Sequence, residues 1–222
     1  MIEARMTELN YNEILMYLGH RGQEVTPEVE AQIRTCMAEV RKYAAPRLVY
    51  SRLPVEDGAV RGLPMEGEDI RALLEPCQEA VLLAVTLGSQ IEQALMRREV
   101  TDMADAVIMD SCASVAVENV CDCFEEDMRE LAAAEGLFLT SRFSPGYGDL
   151  PLDTQRRLCE ALNTVRRIGL TVTENYIMVP RKSVTAVMGI SAEPQKLRTR
   201  GCEACGMFLH CPYRKRGIVC HE

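Results

Sequence analysis

Tryptophan is absent from this chain of 222 residues, aromatic residues make up only 5% of it, and histidine occurs three times. A core without large rings rests on Leu, Ile, Val, Ala and Met. No Ser/His/Asp or Cys/His set for nucleophilic catalysis is visible. A basic excess is also lacking: the net charge of −8 argues against free nucleic acid as a partner. Long hydrophobic runs are missing too. The longest, Ala80 to Leu87, is too short to span a bilayer. The first residues, Met1-Ile-Glu-Ala-Arg-Met-Thr-Glu, have no signal-peptide core. These absences point to a cytoplasmic protein with no membrane partner.

What is present is the composition of a folded globular chain, 47% hydrophobic and 26% charged. Its length suits one large domain, or one domain with an appendage. Ten cysteines in a reducing compartment argue for metal, redox chemistry or core packing rather than disulfides. Charge is distributed unevenly. Residues 101–135 hold ten acids against one base, Arg129, whereas residues 196–222 hold six bases against two acids. The basic tail is either solvated or docked on an acidic partner.

Periodicity predicts helices over 9–18 and from Thr26-Pro27, an N-cap followed by proline at the first helical position, to about Ala44. Arg47–Val55 alternates as a strand, with 62–66 as its partner. A short helix over Gly67–Cys77, a buried strand over Ala80–Leu87 and a helix over 88–98 follow. Thr101-Asp102 opens a long helix to about Glu135, stopped by Gly136. Positions 103–121 are apolar almost all round, so this helix is expected to be buried on most sides. Its charged residues within 107–121, Asp110 and Glu118, then each need a partner or a task. A helix over 154–163 precedes a strand pair, 169–176 with 183–190, joined around Pro180-Arg181-Lys182. Three portions result: 1–100, 101–190, and a tail over 191–222 with its own composition.

Arg142-Phe-Ser-Pro-Gly-Tyr147 carries the sharpest chemical signal. Pro145 and Gly146 permit a tight turn whose backbone can approach a ligand, and Gly148 adds freedom. Arg142 offers a planar fork that fits a carboxylate, and Tyr147 a flat face with a hydroxyl. Together they suit a nucleotide bearing an amino acid, such as S-adenosylmethionine. The plain alternative is a turn with a solvated Arg and a packed Tyr.

About thirty residues on stands Leu170-Thr-Val-Thr-Glu-Asn-Tyr-Ile-Met-Val-Pro, then Ser183-Val184. The two segments in this order resemble the reactivation domain of cobalamin-dependent methionine synthase, with its Arg-x-x-Pro-Gly-Tyr turn, Thr-Glu-x-x-x-Met strand and Ser-Val. The resemblance spans roughly residues 100–190. Tyr11-Asn-Glu-Ile-Leu-Met-Tyr-Leu-Gly-His-Arg-Gly also looks like the opening of free-standing members.

The resemblance implies an α+β fold, a mostly antiparallel twisted sheet backed by helices. It implies that Arg142 holds the methionine carboxylate, that Ser144 and Gly146 contact the ligand through backbone, and that Tyr147 lies near the adenosine or the corrinoid. Glu118 would receive the ligand's amino group, or else pair with a structural Arg. Glu174 would support the ligand shell or stabilise its hairpin. The implied function is stand-alone reactivation of a corrinoid methyltransferase by reductive methylation of cob(II)alamin. The partner would be a methionine synthase that carries the cobalamin, with flavodoxin or ferredoxin as possible electron donor. No corrinoid-, folate- or homocysteine-binding module is recognisable in the chain, which departs from the family beyond Ser183-Val184.

Cys202-Glu-Ala-Cys205, Cys211-Pro212 and Cys220 give the spacing C-x2-C-x5-C-x8-C. Thiolates in this pattern suit an iron–sulfur cluster or zinc, and spacing alone does not separate the two. His210 and His221 are alternative zinc ligands. Cys36, Cys77, Cys112, Cys121, Cys123 and Cys159 are scattered and read as core residues. Two other functions stay open: an iron–sulfur electron-transfer protein that docks on corrinoid proteins, and a non-catalytic interaction module ordered by zinc.

Overall fold

The computed structural model describes residues 2–20 and 22–195. The elements are α1 (Tyr11–Tyr17), α2 (Pro27–Tyr43), β1 (Arg47–Glu56), β2 (Ala59–Val60), α3 (Glu68–Leu74), β3 (Cys77–Thr86), α4 (Ser89–Thr101) and α5 (Met103–Ala134). Then come β4 (Phe138–Leu139), α6 (Thr154–Leu162), α7 (Thr164–Ile168), β5 (Thr171–Val172), β6 (Met178–Val179) and β7 (Ser183–Ser191).

Five strands form one sheet in the order β2-β1-β3-β7-β4, every neighbour antiparallel. The class is α+β, as expected. Alternate residues of each central strand feed two cores. Val81, Leu83 and Val85 of β3 and Met188 and Ile190 of β7 pack with α2, α4 and α5. Ala80, Leu82 and Ala84 of β3 and Val187 of β7 pack with α3, α6 and α7 on the other face. Helices thus back both faces of the sheet. Among the described residues, no helix is long and apolar enough to cross a membrane.

Local chemistry sets the helix boundaries. The Asn10 side chain accepts from the Asn12 and Glu13 amides at the start of α1, and Thr26 caps α2 ahead of Pro27. Asp102 caps α5 by accepting from the Ala104 and Asp105 amides. Gly136, at φ +75°, takes the left-handed conformation that lets the chain leave that helix. The middle of α5 is buried on most sides, with Met109, Cys112, Ala113, Ala116, Val120 and Cys121 fully enclosed. Its N-terminal turn is not, since Met103 and Val107 are exposed.

Two strand expectations require correction. Residues 169–176 and 183–190 do not pair. Instead β5 pairs with β6 as a separate two-stranded hairpin, and β7 lies between β3 and β4. The reason is burial: β7 is enclosed on both faces, so it needs two covered partners, whereas β5 and β6 are largely exposed. Similarly, β1 is met by Ala59–Val60 and not by 62–66, because the turn at Asp57-Gly58 is tighter than the composition suggests. Leu63 makes only a single bridge back to Val60.

Candidate functional site

The turn after β4 is hung on the sheet. Phe143 and Val187 of β7 exchange backbone hydrogen bonds at 2.8 Å in both directions. Beyond Phe143 the chain folds on itself: the Tyr147 amide donates to the Ser144 carbonyl at 3.2 Å and the Gly146 amide to the Leu150 carbonyl at 2.9 Å. Gly146 sits at φ +88° and Gly148 at +55°, values that favour glycine. Tyr147 is 69% exposed, so its ring is presented and not packed. Ser144 is half-buried and Gly146 exposed.

Arg142 points the opposite way from its neighbour Phe143, toward α5. Glu118, Asp122 and Glu125 lie four and three residues apart on that helix, hence on one stripe. The guanidinium meets all three. Its Nη2 lies 2.5 Å from Asp122 Oδ1 and 3.4 Å from Glu118 Oε2, and its Nε lies 3.3 Å from Glu125 Oε2. The Arg142 side chain is only 8% exposed, whereas those of Glu118 and Asp122 are 42% and 43% exposed. Burial opposes the positive charge on Arg142, but its anionic neighbours, the carboxylates of Asp122, Glu118 and Glu125 among them, outweigh it and raise the guanidinium's pKa above its ordinary value. Arg142 stays cationic at any physiological pH.

One donor is left over. Arg142 Nη1 is buried and has no hydrogen-bond partner among the described residues. An orphan buried donor costs about 1–3 kcal/mol, more on a charged group, so it marks a place where an acceptor is missing. A carboxylate is an acceptor that a guanidinium pairs with well.

The structure therefore brings Glu118 and Arg142 together, and Ser144, Gly146 and Tyr147 follow Arg142 in the turn. Glu174 stands apart, exposed on the turn of the β5–β6 hairpin, and shares no hydrogen bond or ion pair with Arg142. Asp122 and Glu125 contact the Arg142 guanidinium as well. Their signal in the sequence is the run of acids at 118, 122 and 125, one helical stripe. The other carboxylate of the apolar stretch, Asp110, is taken by Lys182, whose Nζ lies 2.8 Å from Asp110 Oδ1 and 2.8 Å from Ser114 Oγ.

The scattered cysteines are buried free thiols. Burial is the main cause that pushes Cys77 up to about 11 and Cys36 and Cys112 up to about 12, and it pushes Cys121 up as well. These thiols are neutral and poor ligands. Cys202, Cys205, Cys211 and Cys220 lie outside the described residues.

An antiparallel sheet backed by helices, with an acid-framed guanidinium just before a Pro-Gly-Tyr turn, defines an α+β domain. The model of the family described as vitamin B12 dependent methionine synthase, activation domain, matches residues 78–199, more than half of the chain. The chain belongs to that family. No curated protein matches it. Among solved structures, it is similar to one described as the MetH reactivation domain bound to AdoHcy. The TM-score is 0.64 at 16% identity, over 88% of this chain and 79% of that one.

Proposed function

We propose that this chain reactivates a corrinoid methyltransferase in trans, a methionine synthase being the best fit, by holding S-adenosylmethionine over the partner's cobalamin. The observation that carries this reading is the orphan Nη1 of Arg142, on a guanidinium whose Nη2 meets the half-exposed carboxylates Glu118 and Asp122. The ligand's carboxylate would take Nη1, its ammonium would meet Glu118 and Asp122, and Tyr147 would lie against the adenosine or the corrinoid. Ser144 and Gly146 would line the approach through backbone, with Glu174 further out. The structural relative that was solved with AdoHcy supports a ligand of this class.

Cobalt(II) on the partner takes one electron from a donor such as flavodoxin or ferredoxin. Cobalt(I) then displaces the methyl group from the sulfonium, which leaves as a neutral thioether. The nucleophile belongs to the corrinoid. This chain contributes position and charge complementarity, without acid–base work. The thiolates Cys202, Cys205, Cys211 and Cys220 would hold an iron–sulfur cluster or zinc, and metal analysis with Cys202→Ser beside it decides between them.

The test of the ligand reading is a calorimetric titration of anaerobically prepared protein with S-adenosylmethionine, alongside Arg142→Ala. Saturable binding that is lost in the variant is expected. Absence of binding in either protein, alone or with a corrinoid partner, overturns the reading.

A further inference from the structure

We infer that Glu125 and Arg129 are positioning residues: they fix the plane of Arg142 so that Nη1 faces the ligand's carboxylate. The inference rests on the ligand reading above. Arg129 is the single base among ten acids over residues 101–135, and its contacts explain its place there. Its Nη2 donates to Glu125 Oε1 at 2.7 Å and its Nη1 to the Leu139 carbonyl, the last residue of β4, at 2.8 Å. The other oxygen of Glu125, Oε2, is the one 3.3 Å from Arg142 Nε. A continuous brace thus runs from the sheet edge through Arg129 and Glu125 to the guanidinium.

A Glu–Arg pair four residues apart is ordinary on a helix. What sets this one apart is its two ends, a strand carbonyl on one side and Arg142 on the other. Glu125 is also the most enclosed of the three acids around Arg142, at 17% side-chain exposure against 42% and 43% for Glu118 and Asp122. The guanidinium is planar, so a hold on Nε and Nη2 determines where Nη1 sits. Without Glu125 the plane is free to turn, and both terminal nitrogens can satisfy Glu118 and Asp122, leaving none for the ligand. Neither Glu125 nor Arg129 would touch the ligand; both act through Arg142.

The experiment compares the wild-type chain with Glu125→Gln, Arg129→Met and Arg129→Lys. Each is titrated with S-adenosylmethionine and with 5′-methylthioadenosine, which has the nucleoside but no amino-acid group. The expected result is about tenfold weaker S-adenosylmethionine binding in all three, the scale of one charge-assisted hydrogen bond. Lysine keeps the charge but cannot span both acceptors, so it should not rescue. Binding of 5′-methylthioadenosine should change less than about twofold, since a merely structural role would weaken both ligands together. Equal loss for the two ligands, or none for S-adenosylmethionine, overturns the inference while leaving the ligand reading intact. If the wild-type chain binds neither ligand, the reading fails and the inference with it. A second measurement needs no ligand: the Arg142 Nε–H resonance should be protected from water in the wild type and exchange at least about tenfold faster in Arg129→Met. An unchanged rate also overturns the inference.

Discussion

The helix α5 carries two charged contacts that look alike in sequence and differ in kind. At Asp110 one acid meets one base: Lys182 Nζ is shared between Asp110 and Ser114, each at 2.8 Å. Two turns further on, three acids meet one base, and that base still keeps a buried donor without an acceptor among the described residues. The first arrangement is closed and ties the start of β7 to the helix. The second is open in one respect, an unsatisfied donor that lies beneath half-exposed carboxylates. A closed pair stabilises a fold; a buried donor without an acceptor is a candidate ligand contact. Function is legible here in the bookkeeping of hydrogen-bond partners rather than in the residue types.

The comparison breaks most visibly in ligand affinity. Arg142→Ala should weaken S-adenosylmethionine binding about a hundredfold, the scale of a charge-assisted pair to a carboxylate, whereas Lys182→Ala should change it less than about twofold; calorimetry on both variants checks this. Backbone geometry comes next. A Cβ at Gly148 would crowd the Asp69 carboxylate and lie 3.2 Å from Phe143 Cζ, at φ +55°. Gly148→Ala should therefore cost about 2 kcal/mol in denaturant unfolding, from the left-handed backbone and the crowding together. Lys182→Met should cost about 1 kcal/mol by the same method, because its partner Asp110 is half exposed.

The smallest effect is in acid. Hydrogen bonds from Arg52 hold the exposed Glu135 carboxyl below its ordinary value of 4.5. Since the folded pKa is the lower one, this contribution is complete above pH 4.5 and is lost as pH falls through the folded value. Stability of the wild type should thus fall more steeply than that of Arg52→Met below that pH; acid titration of unfolding measures the difference.

Much of this architecture was legible without coordinates where the signal is local. Thr26-Pro27, Asp102 and Gly136 mark helix ends through bonds made within a few residues. The run Ala80–Leu87 reads as a buried strand because β3 is covered on both sides. Partner choice was not legible. The alternation over 169–176 and 183–190 is real, yet β7 pairs with β3, about a hundred residues earlier, in a ladder from Thr86↔Ser183 to Cys77↔Ser191. Nothing local encodes that pairing; it follows from how much surface β7 must bury. The site shows the same split. Arg142 and Tyr147 stand out because glycine and proline flag their turn. Asp122 and Glu125 are marked only as members of an acidic helical stripe, and only the approach of Arg142 from another element gives them a role.

The reciprocal Phe143–Val187 bonds have a consequence for how this segment can evolve. Arg142 and Phe143 are neighbours that enter opposite layers, the guanidinium on the α5 side and the ring among the residues packed on α6. In pleated backbone, a single inserted or deleted residue exchanges the two faces. The stretch from Leu139 to Phe143 resembles a connecting loop, which ordinarily tolerates changes of length. Here it should accept substitutions while rejecting a one-residue indel, because whether the charge or the ring faces the helix is set by the parity of the residue count.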